Sequence, residues 1–431
     1  MAVSSNAVKK YNEEIDRHYR WNTIGVMIDN AMFSIISLGL SQYTILPLYL
    51  NKITESKILI GLIPTVSIVG FAIPQIFIAR LLKGKRQKKG YLVGTAAIQR
   101  VSILAFLILT MVQTRLHTNL TIALFFLIFA IQNFLAGCWF PMWVDFVGHA
   151  IPRNRGMVFG LSTSIGGLIS LAGGGLITYL LKTLPYPNAI TAAAAIAFIA
   201  SLISLAAIIS WHETVPPESD LIETSVIGSN LFHNIKLNKN FQQYLIWRGM
   251  IIGIEMALPF LTISALDRLQ VADMQVGIFA IILSISQTVT NVCWGWLGDR
   301  IGFLRIVLVS TILGSLGIFI AISAGSLNMF YLVFVCAGAM LSGQQLANIN
   351  IIYEFSESDH IPTYTAVHQL ILSPISGVMP VVGGMIVNTF GYGILYWVAT
   401  ILGLSGTLGM SIMVKSPLKT IYKDAQEVHT N

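Results

Sequence analysis

Charged residues are scarce in this chain: of 431 residues only 10% are Asp, Glu, Lys or Arg, while 55% are hydrophobic. Soluble globular domains carry about 25% charged residues, so this composition excludes an ordinary water-soluble protein. The chain is predicted to have lipid as its main solvent.

Cysteine is also rare, which excludes a disulfide framework and a cysteine-based metal site. Cys138, Cys293 and Cys336 lie far apart in apolar sequence and are predicted to be small buried hydrophobic residues. The eight histidines are scattered, and no nucleophile, base or metal ligands converge in the sequence. We therefore expect no enzyme, no metal and no cofactor.

Long apolar runs are what the sequence has instead. A membrane span takes roughly 20 apolar residues as a helix, because its backbone groups must be paired within the segment. Twelve such runs are present, near 22–50, 58–82, 91–113, 119–147, 156–181, 188–211, 241–266, 274–298, 303–325, 328–353, 362–388 and 392–414. They predict an all-α, polytopic membrane protein with twelve transmembrane helices.

One long polar interruption, from His212 to Asn240, separates six runs from six. We therefore predict two pseudo-symmetric six-helix bundles. The predicted segments are a cytoplasmic N-terminal segment at 1–21, a first bundle at 22–211, a cytoplasmic loop at 212–240, a second bundle at 241–415 and a cytoplasmic tail at 416–431.

The distribution of basic residues predicts the orientation. Most of the 26 Lys and Arg residues fall in loops that are cytoplasmic if both termini are inside, and short cytoplasmic loops carry the excess of positive charge. The polar first twenty residues do not form a cleavable signal peptide. We expect a multi-pass protein of a bacterial cytoplasmic membrane, functional as a monomer, whose net charge of +7 needs no nucleic acid partner.

The two halves carry an internal repeat. The stretch from Asp145 to Pro152, DFVGHAIP, matches the stretch from Glu354 to Pro362, EFSESDHIP, and each precedes a glycine-rich span. Aligning the Ile-Pro pairs superposes Gly167 on Gly377, Gly173 on Gly383 and Gly174 on Gly384. Such glycines suit spans that move against one another, and ordinary tight packing explains them equally well.

A loop motif after the eighth run suggests a family. The sequence GWLGDRIGFLR, from Gly295 to Arg305, resembles the loop signature of the major facilitator superfamily. The resemblance implies a transporter of two similar halves working by alternating access, with this loop in a cytoplasmic gate. The predicted gate residues are Asp145, Arg153, Arg155, Gly298, Asp299, Arg300, Gly302 and Glu354. The alternative is a turn that only fixes topology.

Two departures from the family pattern concern symmetry and direction. The equivalent loop of the first half, from Arg80 to Gly90, lacks the aspartate. The fifth run, from Gly166 to Gly175, is similar to the superfamily's antiporter signature, but Ser170 and Leu171 replace its Gly-Pro. Export is therefore only weakly indicated.

Charged groups inside apolar runs are functional candidates, because an unpaired charge in the bilayer is costly. Asp29 in the first run and Glu255 in the seventh are predicted to couple proton flow to transport. The alternatives are a structural hydrogen bond or snorkelling for Asp29, and an ion pair with Arg248 for Glu255. Arg100 in the third run needs a buried carboxylate or an anionic substrate group.

Polar uncharged side chains near mid-span predict a substrate cavity. Mixed with tryptophan, they offer hydrogen bonds and stacking surfaces for an organic ligand. The predicted cavity residues are Asn133, Trp139, Gln287, Asn291, Gln344, Asn348, His368 and Arg100. Helix-packing amides and interfacial tryptophans are the rival explanation.

The sequence thus predicts a secondary active transporter that uses protons to export a lipophilic or amphipathic small molecule. The amide-rich tenth run also suits uptake of a sugar, nucleoside or peptide, and a lipid flippase is a third alternative. A membrane receptor or an intramembrane enzyme remains as a non-transport alternative. The expected partners are the small-molecule substrate, protons and the lipid bilayer.

Overall fold

A computed structural model of the chain describes residues 5–82, 85, 87–151, 153, 155–215, 239–356 and 361–415. These residues form helices and connecting turns, with no strand among them. The α-helices are α1 Ser5–Gly39, α2 Ile45–Asn51, α3 Lys57–Leu81, α4 Lys89–Val112, α5 Thr118–Ala150, α6 Arg155–Thr183, α7 Asn188–Ser210, α8 Lys239–Ile252, α9 Leu258–Leu269, α10 Met274–Ile301, α11 Phe303–Ser323, α12 Leu327–Phe355, α13 Ile361–Phe390 and α14 Tyr392–Met413.

Eleven helical segments of the described chain are long and apolar enough to cross a membrane, with α8 and α9 counted together as Lys239–Leu269. The first predicted span adds a twelfth in α1, whose hydropathy is lowered by Asn22, Asp29 and Asn30. The all-α, twelve-helix prediction is confirmed. The predicted loop at 212–240 and tail at 416–431 lie almost wholly outside the described residues.

The first predicted span is interrupted. Helix α1 ends at Gly39, and the short helix α2 begins at Ile45. Pro47 lies in the first turn of α2, where its missing N–H costs no hydrogen bond, whereas a continuous helix would lose one there. At its other end α1 extends to Ser5, beyond the apolar run.

The seventh span is interrupted as well. A 3₁₀ turn, Gly253–Ala257, separates α8 from α9. Pro259 has no N–H to donate to the carbonyl of Glu255, and that carbonyl accepts instead from the N–H of Leu258 in the tighter 3₁₀ pattern. Pro259 thus accounts for irregular backbone at Glu255.

The helices divide into two compact units. The first contains α1, α2, α4 to α7, α3 from Val66 onward, and the beginning of α10 up to Ile281. The second contains the beginning of α3 up to Thr65, α8, α9, the rest of α10, and α11 to α14.

Each unit has its own apolar core. In the first, α1 packs along α6 and α7, and a cluster around Phe146 and Trp211 fills the end where α7 stops. In the second, α11 packs on α12 and α14, and a cluster around Phe241 and Tyr244 fills the end where α8 begins.

An asparagine clamp closes each unit in the same way. The side-chain amide of Asn22 donates to the carbonyl of His212 at 3.0 Å and accepts from its N–H at 2.8 Å. In the second unit Asn240 makes the same two bonds to the backbone of Lys415, both at 2.8 Å. Asn22 thus ties α1 to the residues that follow α7, and Asn240 ties α8 to the residue pair that follows α14.

Glycines make the turn between α10 and α11 short. Gly302 is the one residue between the helices and has a φ of 92°, a conformation that other residues rarely adopt. Gly298 is buried, and a Cβ there would lie 2.5 Å from a ring carbon of Phe303. These two glycines of the predicted gate motif therefore have a local structural role.

We expect Gly302→Ala to lower the stability of the purified protein. A non-glycine residue in such a conformation costs about 1–3 kcal/mol. The matched control is Gly295→Ala, because a Cβ there meets only Leu346 Cδ2 at 3.9 Å. Melting temperatures in detergent measure the difference, and equal values for the two variants contradict the prediction.

Candidate functional site

Asp29 lies in the middle of a buried hydrogen-bond network in the first unit. Its side chain is only 4% exposed. The hydroxyl of Ser204 donates to Asp29 Oδ1 at 2.6 Å, and the indole N–H of Trp143 donates to Oδ2 at 2.8 Å. Helices α1, α5 and α7 thus meet at this carboxylate.

Arg100 belongs to the same network. Its Nη2 donates to Ser204 Oγ at 2.7 Å, so the serine hydroxyl links the guanidinium of Arg100 to the carboxylate of Asp29. The other nitrogens donate to the carbonyls of Ser201 and Ala96 and to Gln99 Oε1. The buried carboxyl group of Asp29 and the buried guanidinium group of Arg100 are therefore joined through one serine hydroxyl, without a direct ion pair.

Aromatic rings adjoin this network. Trp139 donates to Gln99 Oε1 at 2.8 Å. Phe140 stacks on Trp143, with ring centroids 6.2 Å apart, and also contacts Phe71 at 5.3 Å. Phe140 is 37% exposed and Trp143 is half-buried. The edge of the network is thus a partly exposed aromatic surface, formed by Phe71, Phe140 and Trp143.

Small residues on α7 allow α1 to approach closely enough for these bonds. A Cβ on Gly39 would lie 3.1 Å from the carbonyl oxygen of Ala193 and 3.1 Å from the methyl group of Ala197. Such small faces let membrane helices pack backbone against backbone. Asp29 consequently reaches Ser204 directly.

A second buried cation, Arg248, lies in α8 of the second unit and is 1% exposed. Its Nη2 donates to Asn348 Oδ1 at 3.0 Å. Its Nε and Nη1 are buried and have no hydrogen-bond partner among the described residues. Nearby, the Tyr244 hydroxyl lies 3.2 Å from His368 Nε2. The structure therefore brings Arg248, Asn348, Tyr244 and His368 together.

Glu255 occupies the 3₁₀ turn that follows α8. Its side chain is half-buried, and Arg248 is the charged group that acts on it electrostatically. Within the described part of the chain its carboxylate accepts no hydrogen bond. Glu255 thus differs from Asp29, whose two oxygens both have donors.

The remaining predicted cavity residues are not gathered at one place. Gln344 is buried and donates to Thr311 Oγ1 at 2.7 Å and to Ser310 Oγ at 3.1 Å, so it joins α12 to α11. Asn133 accepts from Ser67 at 3.0 Å and joins α5 to α3. Gln287 and Asn291 are half-buried along α10.

In the first unit, two predicted gate residues make ion pairs. Asp145 pairs with Lys88 at 3.0 Å, beside the beginning of α4, and Arg153 pairs with Asp16 at 3.2 Å. The side chain of Arg155 lies outside the described residues. Close to these pairs, the rings of His18 and His212 stack with centroids 3.9 Å apart, and burial together with the nearby His212 lowers the pKa of His18.

In the second unit, Glu354 lies in the last turn of α12, and its side chain reaches the beginning of α11. Its Oε1 accepts from the backbone N–H of Phe303 at 2.6 Å, next to Gly302. The carboxylate therefore satisfies a free N–H group and faces the positive end of the helix dipole. Asp299 and Arg300 are exposed, and Arg300 lies 3.9 Å from the Trp296 ring centroid.

Sequence reasoning missed the residues that connect the buried charges. Ser204 is one of several serines in apolar sequence and carries no distinguishing signal. Gln99 gave a usable signal, because it precedes Arg100 in the same apolar run. Tyr244 gave one too, since it lies four residues before Arg248 and shares its helix face.

These features define a class of protein. Twelve membrane-spanning helices, a buried network of polar and ionisable groups inside the first unit and a buried cation in the second are typical of a polytopic secondary transporter. In the part of the chain that the structure describes, no three His, Cys, Asp or Glu residues are grouped to hold a metal ion.

Comparison with known proteins identifies the family. A family model described as Major Facilitator Superfamily matches residues 30–254 and, a second time, residues 249–427. The chain therefore belongs to the major facilitator superfamily, as the loop motif suggested, and it is a secondary transporter. None of the curated proteins matches this chain in sequence.

Solved structures show the same fold. A mutant of the nucleoside transporter NupG aligns with a TM-score of 0.71 at 13% identity, covering 91% of this chain and 100% of that one. A D-xylose-proton symporter aligns at 0.66 and 14% identity, covering 93% and 98%. A bacterial homolog of the human lysosomal transporter Spinster, inward-facing and unoccupied, aligns at 0.60 and 14% identity, covering 92% and 95%.

Proposed function

We propose that this transporter exports a lipophilic or amphipathic organic compound in exchange for protons, and that Glu255 carries the exchanged proton. The observation that carries the proposal is the contrast between the two membrane carboxylates. Asp29 has a donor on each oxygen and is linked to Arg100 through the hydroxyl of Ser204. Glu255 accepts no hydrogen bond from any described residue, and it lies in a 3₁₀ turn rather than in a regular helix.

Glu255 suits proton exchange because both of its states can be accommodated. The protonated carboxyl is neutral and compatible with its half-buried position. The ionised carboxylate lies within the field of Arg248, two helical turns earlier, whose Nε and Nη1 have no partner among the described residues. A movement of the 3₁₀ turn between α8 and α9 would alter this interaction as access alternates.

Asp29 has a different role in this proposal. With Ser204 and Arg100 it maintains a neutral, hydrogen-bonded interior between α1, α4 and α7, so its protonation is not required for transport. The sequence alone predicted both Asp29 and Glu255 as coupling groups. We now place the coupling at Glu255 and keep Asp29 as an electrostatic partner of Arg100.

The aromatic surface beside Asp29 supports the substrate class. Phe140 and Trp143 offer stacked, partly exposed faces, which bind apolar and amphipathic compounds by area burial and stacking. The resemblance of the Gly166–Gly175 stretch to the antiporter signature, from which Ser170 and Leu171 depart, gives weak support for export. The distribution of basic residues supports the proposed orientation, with both termini cytoplasmic.

A second candidate function is proton-coupled uptake of a sugar or nucleoside. The grouping of Arg248, Asn348, Tyr244 and His368 offers donors and acceptors to a hydroxyl-rich solute. Two structurally similar proteins are a nucleoside transporter and a D-xylose-proton symporter. Peptide uptake and lipid flipping remain further alternatives.

Proteoliposomes containing the purified protein and a lumenal pH dye test the proposal. Amphipathic drugs, D-xylose, nucleosides, dipeptides and lysolipids are added in turn, with empty liposomes as the control. We expect amphipathic compounds to drive proton movement. A response only to xylose or nucleosides favours the second candidate, and passage of a labelled compound without any pH change rules out proton coupling.

A further inference from the structure

A long groove lies on the surface of the second unit. It is lined by residues of α8 and α13 and by Leu402 of α14, and it has a volume of about 660 Å³. It extends from Gln242 in α8 to Gly253, the first residue of the 3₁₀ turn that follows α8. Its other lining side chains are apolar. We call it the α8–α13 groove.

The groove is closed at one end and open at the other. Beyond Gly253, a Cβ on Gly383 of α13 would lie 2.5 Å from the carbonyl oxygen of Met256, so the chains touch there. Toward the beginning of α8 the lining becomes Gly249 and Ile246, and Ile246 is 59% exposed. The groove is therefore open beside Ile246, in the half of α8 that is nearer to its beginning.

The length of the groove fits one membrane leaflet. Eleven helical steps from Gln242 to Gly253, at about 1.5 Å each, give roughly 16 Å. Half of a hydrocarbon core of about 30 Å is roughly 15 Å. A lipid acyl chain that enters from the membrane surface would thus fill the groove to its closed end.

Two lysines lie at the open end. Lys239 is the first residue of α8, and Lys415 follows α14. Both side chains are exposed, and the Asn240 clamp keeps the two segments together. Neither lysine makes an ion pair with another described residue. Their charges are placed where the headgroup of a lipid in the groove would lie.

We propose that the α8–α13 groove binds an anionic phospholipid, with one acyl chain along α8 and the phosphate between Lys239 and Lys415. The lipid would belong to the leaflet that is cytoplasmic in the predicted orientation. The groove passes Gly249 and Gly253, close in sequence to Arg248 and Glu255, but neither charged side chain lines it. The inference uses only the groove and the two lysines, so it does not depend on the proposed function.

Native mass spectrometry of the delipidated full-length protein in detergent tests the proposal. The probes are phosphatidylglycerol and phosphatidylcholine with identical acyl chains. We expect one phosphatidylglycerol to be retained in preference to phosphatidylcholine. Lys239→Gln and Lys415→Gln should each weaken that preference by roughly fivefold, whereas Lys182→Gln, an exposed lysine elsewhere, should not.

Ile375→Trp fills the groove and should abolish retention of the lipid. Ile312→Trp, at a position 48% exposed on α11, is the matched control. If Ile375→Trp does not fold, Gly249→Leu replaces it, because a Cβ there meets only the flexible end of Ile375. Equal retention of both lipids, or retention unchanged by the groove variants, overturns the proposal. Two further results overturn the proposal. If the groove variants convert a dimer to a monomer, the groove is occupied by a second copy of the protein. If a transported compound displaces the lipid, the groove is a substrate site.

Discussion

Glu255→Gln is expected to abolish proton movement in proteoliposomes while the protein still binds its substrate. Glutamine preserves the size and polarity of the side chain but cannot release a proton. If Glu255 carries the proton, substrate-driven pH change falls to the level of empty liposomes, whereas counterflow of labelled substrate across the membrane continues. Parallel measurement of both activities separates coupling from folding.

The control for this variant is Glu14→Gln, an exposed carboxylate near the beginning of α1. It should behave as the wild type in both assays. Asp29→Asn provides the sharper comparison. If proton movement survives Glu255→Gln but disappears in Asp29→Asn, the coupling group is Asp29 and our assignment is wrong.

Asp29 and Arg100 are expected to show a large, strongly non-additive effect on stability. Removing one member of a buried charge pair leaves the other uncompensated, which costs about 3–5 kcal/mol. Asp29→Asn and Arg100→Gln should therefore each lower the melting temperature markedly. The double variant contains no buried charge at this place and should recover most of the loss.

Ser204→Ala tests the link between them. It removes the hydroxyl that donates to Asp29 and accepts from Arg100, so an intermediate loss of about 1–3 kcal/mol is expected. The control for the Asp29 and Arg100 variants is the partly exposed ion pair between Lys52 and Asp273, at 2.8 Å. Removing that pair should lower the free energy of unfolding by at most about 1 kcal/mol. Additive losses from Asp29→Asn and Arg100→Gln would show that the two charges do not interact.

The spans were predictable from the sequence because a membrane requires each of them to be long and apolar. Their interruptions were not predicted, although Pro47 and Pro259 mark both places. A proline inside an apolar run can produce a kink, a 3₁₀ turn or the start of a new helix. Packing against neighbouring helices determines which of these forms. The irregular backbone at Glu255 became visible only in the structure.

The candidate site was predictable only in part. Asp29, Arg100 and Glu255 stand out as charges in apolar sequence, but their partners lie in distant spans and include ordinary residues such as Ser204. Gln344 and Asn348 are four residues apart and lie on the same face of α12. Gln344 nevertheless donates a hydrogen bond to α11, whereas Asn348 accepts one from Arg248 of α8. Helical spacing alone does not determine which neighbour each side chain meets.

The asparagine clamps of Asn22 and Asn240 suggest how such a protein could be divided or recombined. The Asn22 clamp joins α1 to the residues after α7, and the Asn240 clamp joins α8 to the residues after α14. Each clamp therefore ties together the two ends of one half of the chain. A cut in the peptide chain between residues 216 and 238 breaks neither clamp. Two co-produced fragments that are divided in this stretch should then each fold with its own clamp in place.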